Sequence, residues 1–499
     1  MNAQRPAVST ASEDRFDLGT LRALGVVPGG IAIDSRKVRP GDLFLAYPGE
    51  RYDGRHFIAQ AVAAGACAVL WEPEGLQTRP AIAIPNWPVP GLRHRAGFVA
   101  AQFFGEPSRQ LWVAGVTGTN GKTSCSHWIA QAMTFLGRRA AVIGTLGSGF
   151  PGAVATGPTT TPDPVSLQAQ LCAFREQGAR AVAIEVSSHG IEQGRVNGVR
   201  FDVALFTNLT RDHLDYHGSM EAYGEAKARL FEWPELKHAV VNLDDDFGMR
   251  LARRIDRTRI NVLSYGMNSG EIAGHKLDLS SKGLKLEITT PWGAARLASP
   301  LLGAFNAHNL LGVLGVLMTC EVALEDAIAA LGRLQPVRGR MQTVRFDDAP
   351  LVVVDYAHTP DALEKVLQTL RGLLPPGGRL HCVFGCGGDR DRGKRPVMGE
   401  IATRLADRCV ITSDNPRSED PRAIIEEIVA GAHAGYHAEP DRERAILDAL
   451  SQARPSDIVL LAGKGHETYQ EIRGERVPFD DAEIARAMLA RGRRKARRV

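Results

Sequence analysis

Residues 117 to 124, Thr-Gly-Thr-Asn-Gly-Lys-Thr-Ser, bring two glycines, an ammonium and several hydroxyls together in one short run. Gly118 and Gly121 let successive backbone N–H groups converge on a phosphate. A helix starting there presents its positive end, Lys122 reaches the outer phosphates, and Thr123 offers Mg2+ a hydroxyl. The broader G-x-x-x-x-G-K-[ST] pattern asks for glycine five residues before Gly121, where this chain has Val116, so the match is the narrower TGTNGKT. The plain alternative is a Gly-rich turn that only joins a strand to a helix. The apolar Leu111-Trp112-Val113-Ala114 before the run and the helical spacing after it favour a cradle for ATP or GTP.

The elements that must carry such a cradle are legible downstream. From about 101 to 340 short apolar runs alternate with helical spacing, as in a doubly wound, mostly parallel α/β sheet. In such sheets ligands lie beyond the carboxyl ends of the strands. Ala181-Val182-Ala183-Ile184 is followed by Glu185-Val186-Ser187-Ser188-His189-Gly190, and Val203-Ala204-Leu205-Phe206 by Thr207-Asn208-Leu209-Thr210-Arg211-Asp212-His213. Glu185 is then a magnesium ligand, directly or through its neighbours, or else an acidic residue capping a turn. His213 and His217 stand four apart, but there is no H-E-x-x-H pattern, no soft ligand is near, and Gly218 ends any helix, so an oxygen-rich Mg2+ neighbourhood is the better reading. Glu221 to Phe231 has the spacing of an amphipathic helix, on which Lys227 reads as an ordinary surface lysine. Asn306, His308 and Asn309 precede an apolar helix running from Leu310 to Met318 and offer amides to cap it or to meet a base edge.

Residues 1 to 100 read as a small α/β domain with strands Ile31-Ala32-Ile33, Leu43-Phe44-Leu45-Ala46 and Cys67-Ala68-Val69-Leu70; Pro85-Asn86-Trp87-Pro88-Val89-Pro90 breaks the pattern and marks a linker or a boundary nearby. A hinge is expected at 336 to 342. Beyond it, 341 to 499 reads as a second, Rossmann-like α/β domain. Four apolar strands there end in Asp355-Tyr356-Ala357-His358, GCGGDRDRGKRP, Ser413-Asp414-Asn415-Pro416-Arg417 and Gly463-Lys464-Gly465-His466-Glu467. GCGGDR is not G-x-G-x-x-G, so no dinucleotide is implied. Arg390, Arg392, Lys394, Arg395 and Arg417 would suit an anionic ligand or carboxylates.

Length and composition agree: 499 residues correspond to about three domains. The formal charge of +4 owes six units to Arg491, Arg493, Arg494, Lys495, Arg497 and Arg498, expected to form a solvated, frayed tail, so the body is nearly neutral and no nucleic-acid partner is expected. Seven scattered cysteines without a C-x-x-C suggest neither disulfides nor zinc. No signal segment and no run of about 18 apolar residues occurs, which predicts a soluble, unprocessed cytoplasmic protein without membrane insertion.

Taken together, TGTNGKT, EVSSHG with Gln193 and Arg195, TNLTRDHLDYHG, EAYGEAKARLF, GxFNxxN, GRM, DYAHTPD, FGCGGDRDRGKRP, SDNPRSED and AGKGHE resemble the Mur ligase family in order and spacing, over essentially the whole chain. The resemblance implies three domains and a monomer. It also implies ATP-dependent amide formation through an acyl phosphate, with UDP-N-acetylmuramoyl-L-alanyl-D-glutamate as acceptor and meso-2,6-diaminopimelate as amine. By the same resemblance, Gly118 to Ser124 with Asn309, Arg340 and Asp355 bind ATP, and Lys122, His213 and Lys227 are catalytic. Thr123, Glu185, His213 and Lys227, the last as a CO2-derived carbamate (N6-carboxylysine), hold Mg2+. Ser35, Thr160, Thr161, Ser187, Gln193 and Arg195 take the uridine-linked substrate. Arg390, Asp414, Asn415, Pro416, Arg417, Gly463 and Glu467 take the amino acid.

Two other readings stay open at this level. A lysine-adding tripeptide synthetase of the same superfamily should lack Arg417, and a folate polyglutamate synthetase should lack the Ser35 loop and the DNPR sequence. A P-loop switch protein would hydrolyse ATP without needing either acceptor or amino acid.

Overall fold

The computed structural model describes residues 16–496 except Arg51, Pro158 and Asn268. It divides into two compact units, the first comprising Met1–His275, Ile288–Ala295 and His308–Leu331, the second Lys276–Glu287, Arg296–Ala307 and Gly332–Val499.

The first unit holds two sheets. The smaller runs Gly30–Ala32, Asp42–Ala46, Ala68–Trp71, Asn86–Pro88, all parallel. Its last strand corrects the expected linker at 85 to 90. Val69 N–H donates to Pro85 O at 3.0 Å and Val89 N–H to Trp71 O at 2.8 Å, and the prolines are tolerated because this strand lies at the sheet edge. The helix Leu92–Phe103 covers the sheet with Leu92, Ala96, Val99 and Ala100, one stripe at helical spacing.

In the larger sheet the strands Asn261–Met267, His238–Asn242, Val203–Phe206, Trp112–Thr117, Ala181–Glu185 and Ala140–Gly144 lie side by side in that order, all parallel. Gly147–Phe150 and Ala153–Ala155 continue it antiparallel at one edge. These strands are short apolar runs because helices cover both faces, which removes the alternation of a half-exposed strand. Trp112–Thr117 sits in the middle, where the chain order reverses, so its carboxyl end opens onto the crevice that such a reversal creates. Asp163 caps the helix Pro164–Glu176, accepting from Val165 N–H and Ser166 N–H at 3.1 and 2.9 Å, with proline at the first helical position. The helix Ala304–Met318 starts earlier than its apolar run, so Asn306, His308 and Asn309 lie within its opening turns rather than before it.

In the second unit the order is Gln342–Val344, Leu351–Asp355, Ile458–Ala462, Leu380–Phe384, Arg408–Thr412, Tyr436–Glu439, parallel except for the first strand. A hairpin, Tyr469–Ile472 with Glu475–Pro478, follows the strand Ile458–Ala462. The helix Asp481–Ala496 carries the backbone of most of the basic segment, which corrects the expected frayed tail; residues 497–499 lie outside the described residues, as does the amino-terminal segment 1–15.

Candidate active site

The phosphate-type loop leaves the buried strand Trp112–Thr117 and enters the helix Lys122–Phe135. Gly118 and Gly121 have φ of 145° and 86°, and a Cβ on them would stand 1.9 Å from Thr207 Oγ1 and 2.5 Å from Asn309 Oδ1. Both need glycine for conformation and for space. The segment after Val203–Phe206 pins the loop: Thr119 N–H donates to Asn208 O at 2.8 Å, Asn120 N–H to Asn208 Oδ1 at 3.0 Å, and Thr207 Oγ1 to Asn120 O at 2.6 Å. Lys122 Nζ folds back to donate to Gly118 O and Thr119 O at 2.9 and 2.8 Å. Ser124 is buried in the first helical turn, and Asn309 is buried beside Gly121.

Lys227 corrects its sequence reading. On the helix Met220–Ala228 it is 1 % exposed, its Nζ donates to Gly118 O at 2.8 Å, and it stands 4.3 Å from the centroid of the Tyr223 ring. Burial, reinforced by the nearby Lys122 charge, holds its ammonium well below the usual lysine range, which disfavours the charged form. Tyr223 also reaches the loop, its hydroxyl 3.3 Å from Thr119 Oγ1. His213 is exposed, with φ 52°, and its ring lies 5.9 Å from that of Tyr223 and 4.9 Å from that of His189. His217 Nε2 is hydrogen-bonded to Ser188 Oγ at 2.9 Å.

Glu185, at the end of its strand, is completely buried. Thr123 Oγ1 donates to its Oε2 at 3.0 Å; Thr145 N–H donates to Oε1 and Thr145 Oγ1 to Oε2, both at 2.9 Å. Among the described residues no basic side chain forms an ion pair with this carboxylate, and together with the Thr123 and Thr145 hydroxyls it offers oxygens of the kind that suit a hard cation. Thr145 was missed from sequence, although it follows the strand Ala140–Gly144 and the rule about strand ends reaches it as well as Glu185.

From Glu185 the hydrogen bonds continue into the residues expected to hold the uridine-linked substrate. Thr145 Oγ1 meets Thr160 Oγ1 at 3.0 Å, Thr161 Oγ1 donates to Glu185 O at 2.8 Å and meets Ser187 Oγ at 3.1 Å, and Arg195 Nη1 donates to Thr161 O at 2.9 Å. Arg195 Nε donates to Gln193 Oε1 at 2.8 Å, and Gln193 Nε2 to Glu50. Ser35 belongs to the smaller sheet's surroundings, where its hydroxyl donates to Gln60 Oε1 at 3.0 Å.

The second unit has its own polar clusters. Asp355 ends its strand, accepts from Met341 N–H at 2.7 Å, and is pushed up by burial against the opposing Arg340 charge. The Arg340 guanidinium lies 4.9 Å from the Tyr356 ring centroid, and its buried Nε has no hydrogen-bond partner among the described residues.

Arg417, with φ 50°, donates from Nη1 to Gly388 O at 2.6 Å and lies 3.4 Å from Glu471. A Cβ on Gly387 would meet Arg417 Nη1 at 2.9 Å and Arg390 Cγ at 3.7 Å, so both arginines flank that glycine; Arg390 itself is exposed. Pro416 packs over Gly388, where a Cβ would stand 2.0 Å from Pro416 O. Asp414, Asn415 and Glu467 surround the completely buried Lys464, and Gly463 (φ 108°) adjoins Asp414.

The remaining basic residues of the GCGGDRDRGKRP loop are engaged within the protein, although the Arg392 side chain stays largely exposed. Arg395, fully buried, pairs with Glu419 at 2.8 Å and Glu427 at 2.8 Å, Arg392 pairs with Glu427, and Lys394 Nζ donates to His358 O at 2.7 Å. Their carboxylate partners lie 24 or more residues away, so sequence spacing hid the pairs.

Comparison with known proteins gives three matches to domain families. The Mur ligase family catalytic domain matches residues 29–103, the Mur ligase middle domain 116–317, and the Mur ligase glutamate ligase domain 339–465. The UDP-N-acetylmuramoyl-L-alanyl-D-glutamate–2,6-diaminopimelate ligase of Chromobacterium violaceum is 55% identical over 482 residues, covering 96% of this chain and 98% of the relative. A solved structure of a ligase of that same name is 40% identical, with a TM-score of 0.71 over 93% of this chain and 95% of its own. The crystal structure of MurF ligase from Thermotoga maritima in complex with ADP has a TM-score of 0.62 at 20% identity, over 93% of this chain and 98% of its own, and shares the fold.

Proposed function

Because this chain belongs to the Mur ligase family, we propose that it joins meso-2,6-diaminopimelate to UDP-N-acetylmuramoyl-L-alanyl-D-glutamate in peptidoglycan synthesis, converting ATP to ADP and phosphate. A carboxylate is a poor electrophile, so one of its oxygens first takes the γ-phosphoryl group and ADP leaves. The amine then attacks the acyl carbon, phosphate departs with the bonding electrons, and the amine loses a proton. What the protein must supply is alignment and compensation of phosphoryl charge.

The single observation that carries the reading is the hydrogen-bonded path from Thr123 through Glu185 and Thr145 to Thr160, with Thr161 and Arg195 beyond. It ties the phosphate loop to the residues assigned to the acceptor, as direct transfer from ATP to the acceptor carboxylate requires. Gly118 to Ser124 cradle the phosphates, with Asn309, Arg340 and Asp355 on the nucleoside. Ser35, Ser187 and Gln193 complete the acceptor set. Arg390, Asp414 to Arg417, Gly463 and Glu467 bind the diamino acid. Thr123, Glu185, His213 and Lys227 as its carbamate would hold Mg2+, which when bound neutralises phosphoryl charge. Lys227 fits that modification because a buried neutral amine is the form that adds CO2.

The functional domains are 1–100, 101–340 and 341–499. The enzyme acts as a monomer in the cytoplasm, where ATP and the nucleotide-linked substrate are found; among the described residues no helix is long and apolar enough to cross a membrane.

The test is incubation with ATP, Mg2+ and the uridine-linked dipeptide, with meso-diaminopimelate or L-lysine offered separately and the amide product measured by mass. Product with meso-diaminopimelate supports the reading. Equal product with L-lysine moves the assignment to a lysine-adding ligase. ATP hydrolysis that depends on neither substrate discards ligation.

A further inference from the structure

Lys464 stands between Gly463 and Gly465, both at positive φ, and is 0 % exposed. Its Nζ donates to Asn415 Oδ1 at 3.0 Å and to Glu467 Oε2 at 3.3 Å, and lies 3.6 Å from Asp414 Oδ1. Asn415 closes the cluster, donating from Nδ2 to Glu467 Oε2 at 2.7 Å while its Oδ1 also accepts from Glu471 N–H at 3.0 Å. A lysine without solvent is rare unless its charge is matched. Here two carboxylates answer one ammonium, which leaves the cluster one negative charge in excess.

We propose that Lys464 is a positioning residue, holding Asp414 and Glu467 together as two anions that receive an ammonium group of the diamino acid. The inference rests on the amino-acid-binding role given to this cluster above. Lys464 is too deeply buried to meet the substrate and acts through its partners.

Two observations point to a cationic group as the missing member. Asp414 is 7 % exposed, and its Oδ1, an ion-pair partner of Lys464 at 3.6 Å, accepts no hydrogen bond among the described residues, so hydrogen-bonding capacity is left over in a place where leaving it unused is costly. A second cation would also bring the cluster to neutrality. Without the lysine the site would fail, because two buried carboxylates side by side favour protonation of one. Glu467 already shows the tension: burial and the Asp414 charge push it up, while Lys464 and Asn415 pull it down.

Of the other groups facing this cluster, Arg442 also interacts with the Asp414 and Glu467 charges, but its hydrogen bonds are committed elsewhere. Arg442, completely buried, is paired with Asp481 at 2.7 Å and donates to Ser413 O and Ala462 O at 3.3 and 2.9 Å, bracing the two loops that begin at Asp414 and Gly463. Arg417 faces Glu471 and Gly388 O, and Arg340 lies over Tyr356. Tyr356 is itself pushed up by burial and by Glu467, His466 packs on the Tyr356 ring at 4.9 Å, and Tyr469 lies 6.0 Å from Lys464 Nζ and 4.3 Å from Arg476.

The experiment uses the full chain with Lys464→Met, which keeps length and removes charge, and Lys464→Arg, which keeps charge. Steady-state constants for all three substrates are measured across the pH range. Lys464→Met should raise KM for meso-diaminopimelate about 10- to 100-fold, the scale of one charge-assisted contact, with KM for ATP and for the uridine-linked substrate near wild type. The acid limb of kcat/KM for the diamino acid should move to higher pH, because Glu467 then protonates more easily, and Lys464→Arg should move it back. An unmoved limb, or three KM values rising together, overturns the proposal. If Lys464→Met does not fold, Glu467→Gln decides: it must remove the acid limb, and a limb that persists overturns the proposal equally. Wild-type enzyme that makes no diaminopimelate product would instead overturn the ligase reading.

Discussion

Lys122 and Lys227, 105 positions apart in the chain, donate to one and the same acceptor, the carbonyl oxygen of Gly118, at 2.9 and 2.8 Å. Burial first, and the nearby Lys122 charge second, disfavour the charge on Lys227, the completely buried member of the pair. Lys122 is then the cation of the loop. Lys122→Ala should lower ligase turnover at least about 100-fold, the scale seen when one preorganised donor to a developing charge is lost. Its thermal unfolding should stay near wild type. A well-folded Lys122→Ala enzyme with near-normal turnover would remove the loop from the reaction.

Lys227 should carry CO2 as a carbamate when the enzyme is active. Lys227→Arg keeps a positive charge but cannot offer a carboxylate, so it should lose most activity. Wild-type enzyme depleted of CO2 should lose activity and recover it on adding bicarbonate. Intact-protein mass measured at mildly alkaline pH should show the increment of one CO2 on the wild type and none on Lys227→Arg. Full activity of Lys227→Arg rules the carbamate out.

Arg417 should decide which amino acid is taken. meso-Diaminopimelate differs from L-lysine by a second carboxylate, and a planar guanidinium suits that group in two-point contact. The residue is held at a left-handed φ of 50°, a conformation tolerated only where the surroundings enforce it. Arg417→Ala should raise KM for meso-diaminopimelate about 10- to 100-fold and reduce discrimination against L-lysine, with the ATP constant little changed. Unlike Lys464→Met, it should leave the acid limb in place, since Glu467 keeps its lysine. Discrimination that survives in Arg417→Ala would place selectivity elsewhere.

Glu419 gives a test of stability against pH. The Arg395 guanidinium beside it, together with Asp389 N–H at 2.6 Å, draws its carboxyl down from the ordinary 4.5 to about 2. A depressed folded value means that the stabilisation is complete above the unfolded value and disappears as pH falls through the folded one. Wild type should therefore exceed Glu419→Gln in thermal stability at neutral pH, by a margin that shrinks between pH 4.5 and about 2. A margin independent of pH would show that packing, not charge, sets the difference. Because this pair anchors the loop carrying Arg390, the variant should also weaken diamino-acid binding.

The sequence alone determined the α/β class, the phosphate loop and the polar groups at strand ends, because each is written in neighbouring residues. An apolar run buried on both faces announces a strand, and in a parallel sheet whatever follows it arrives at the ligand edge. Glu185, Asp355 and Asp414 were legible for that reason. Lys227 was not, since helical spacing around it says which residues share a face and nothing about what covers that face. Lys464, flanked by two glycines, and the arginines of the GCGGDRDRGKRP loop gave no local sign of their carboxylate partners, and the prolines around Asn86–Pro88 concealed an edge strand. Only the tertiary structure decided these, because burial and charge pairing are sums over neighbours brought in from distant parts of the chain. Those sums determine which lysine keeps its proton and which carboxylates keep their charge.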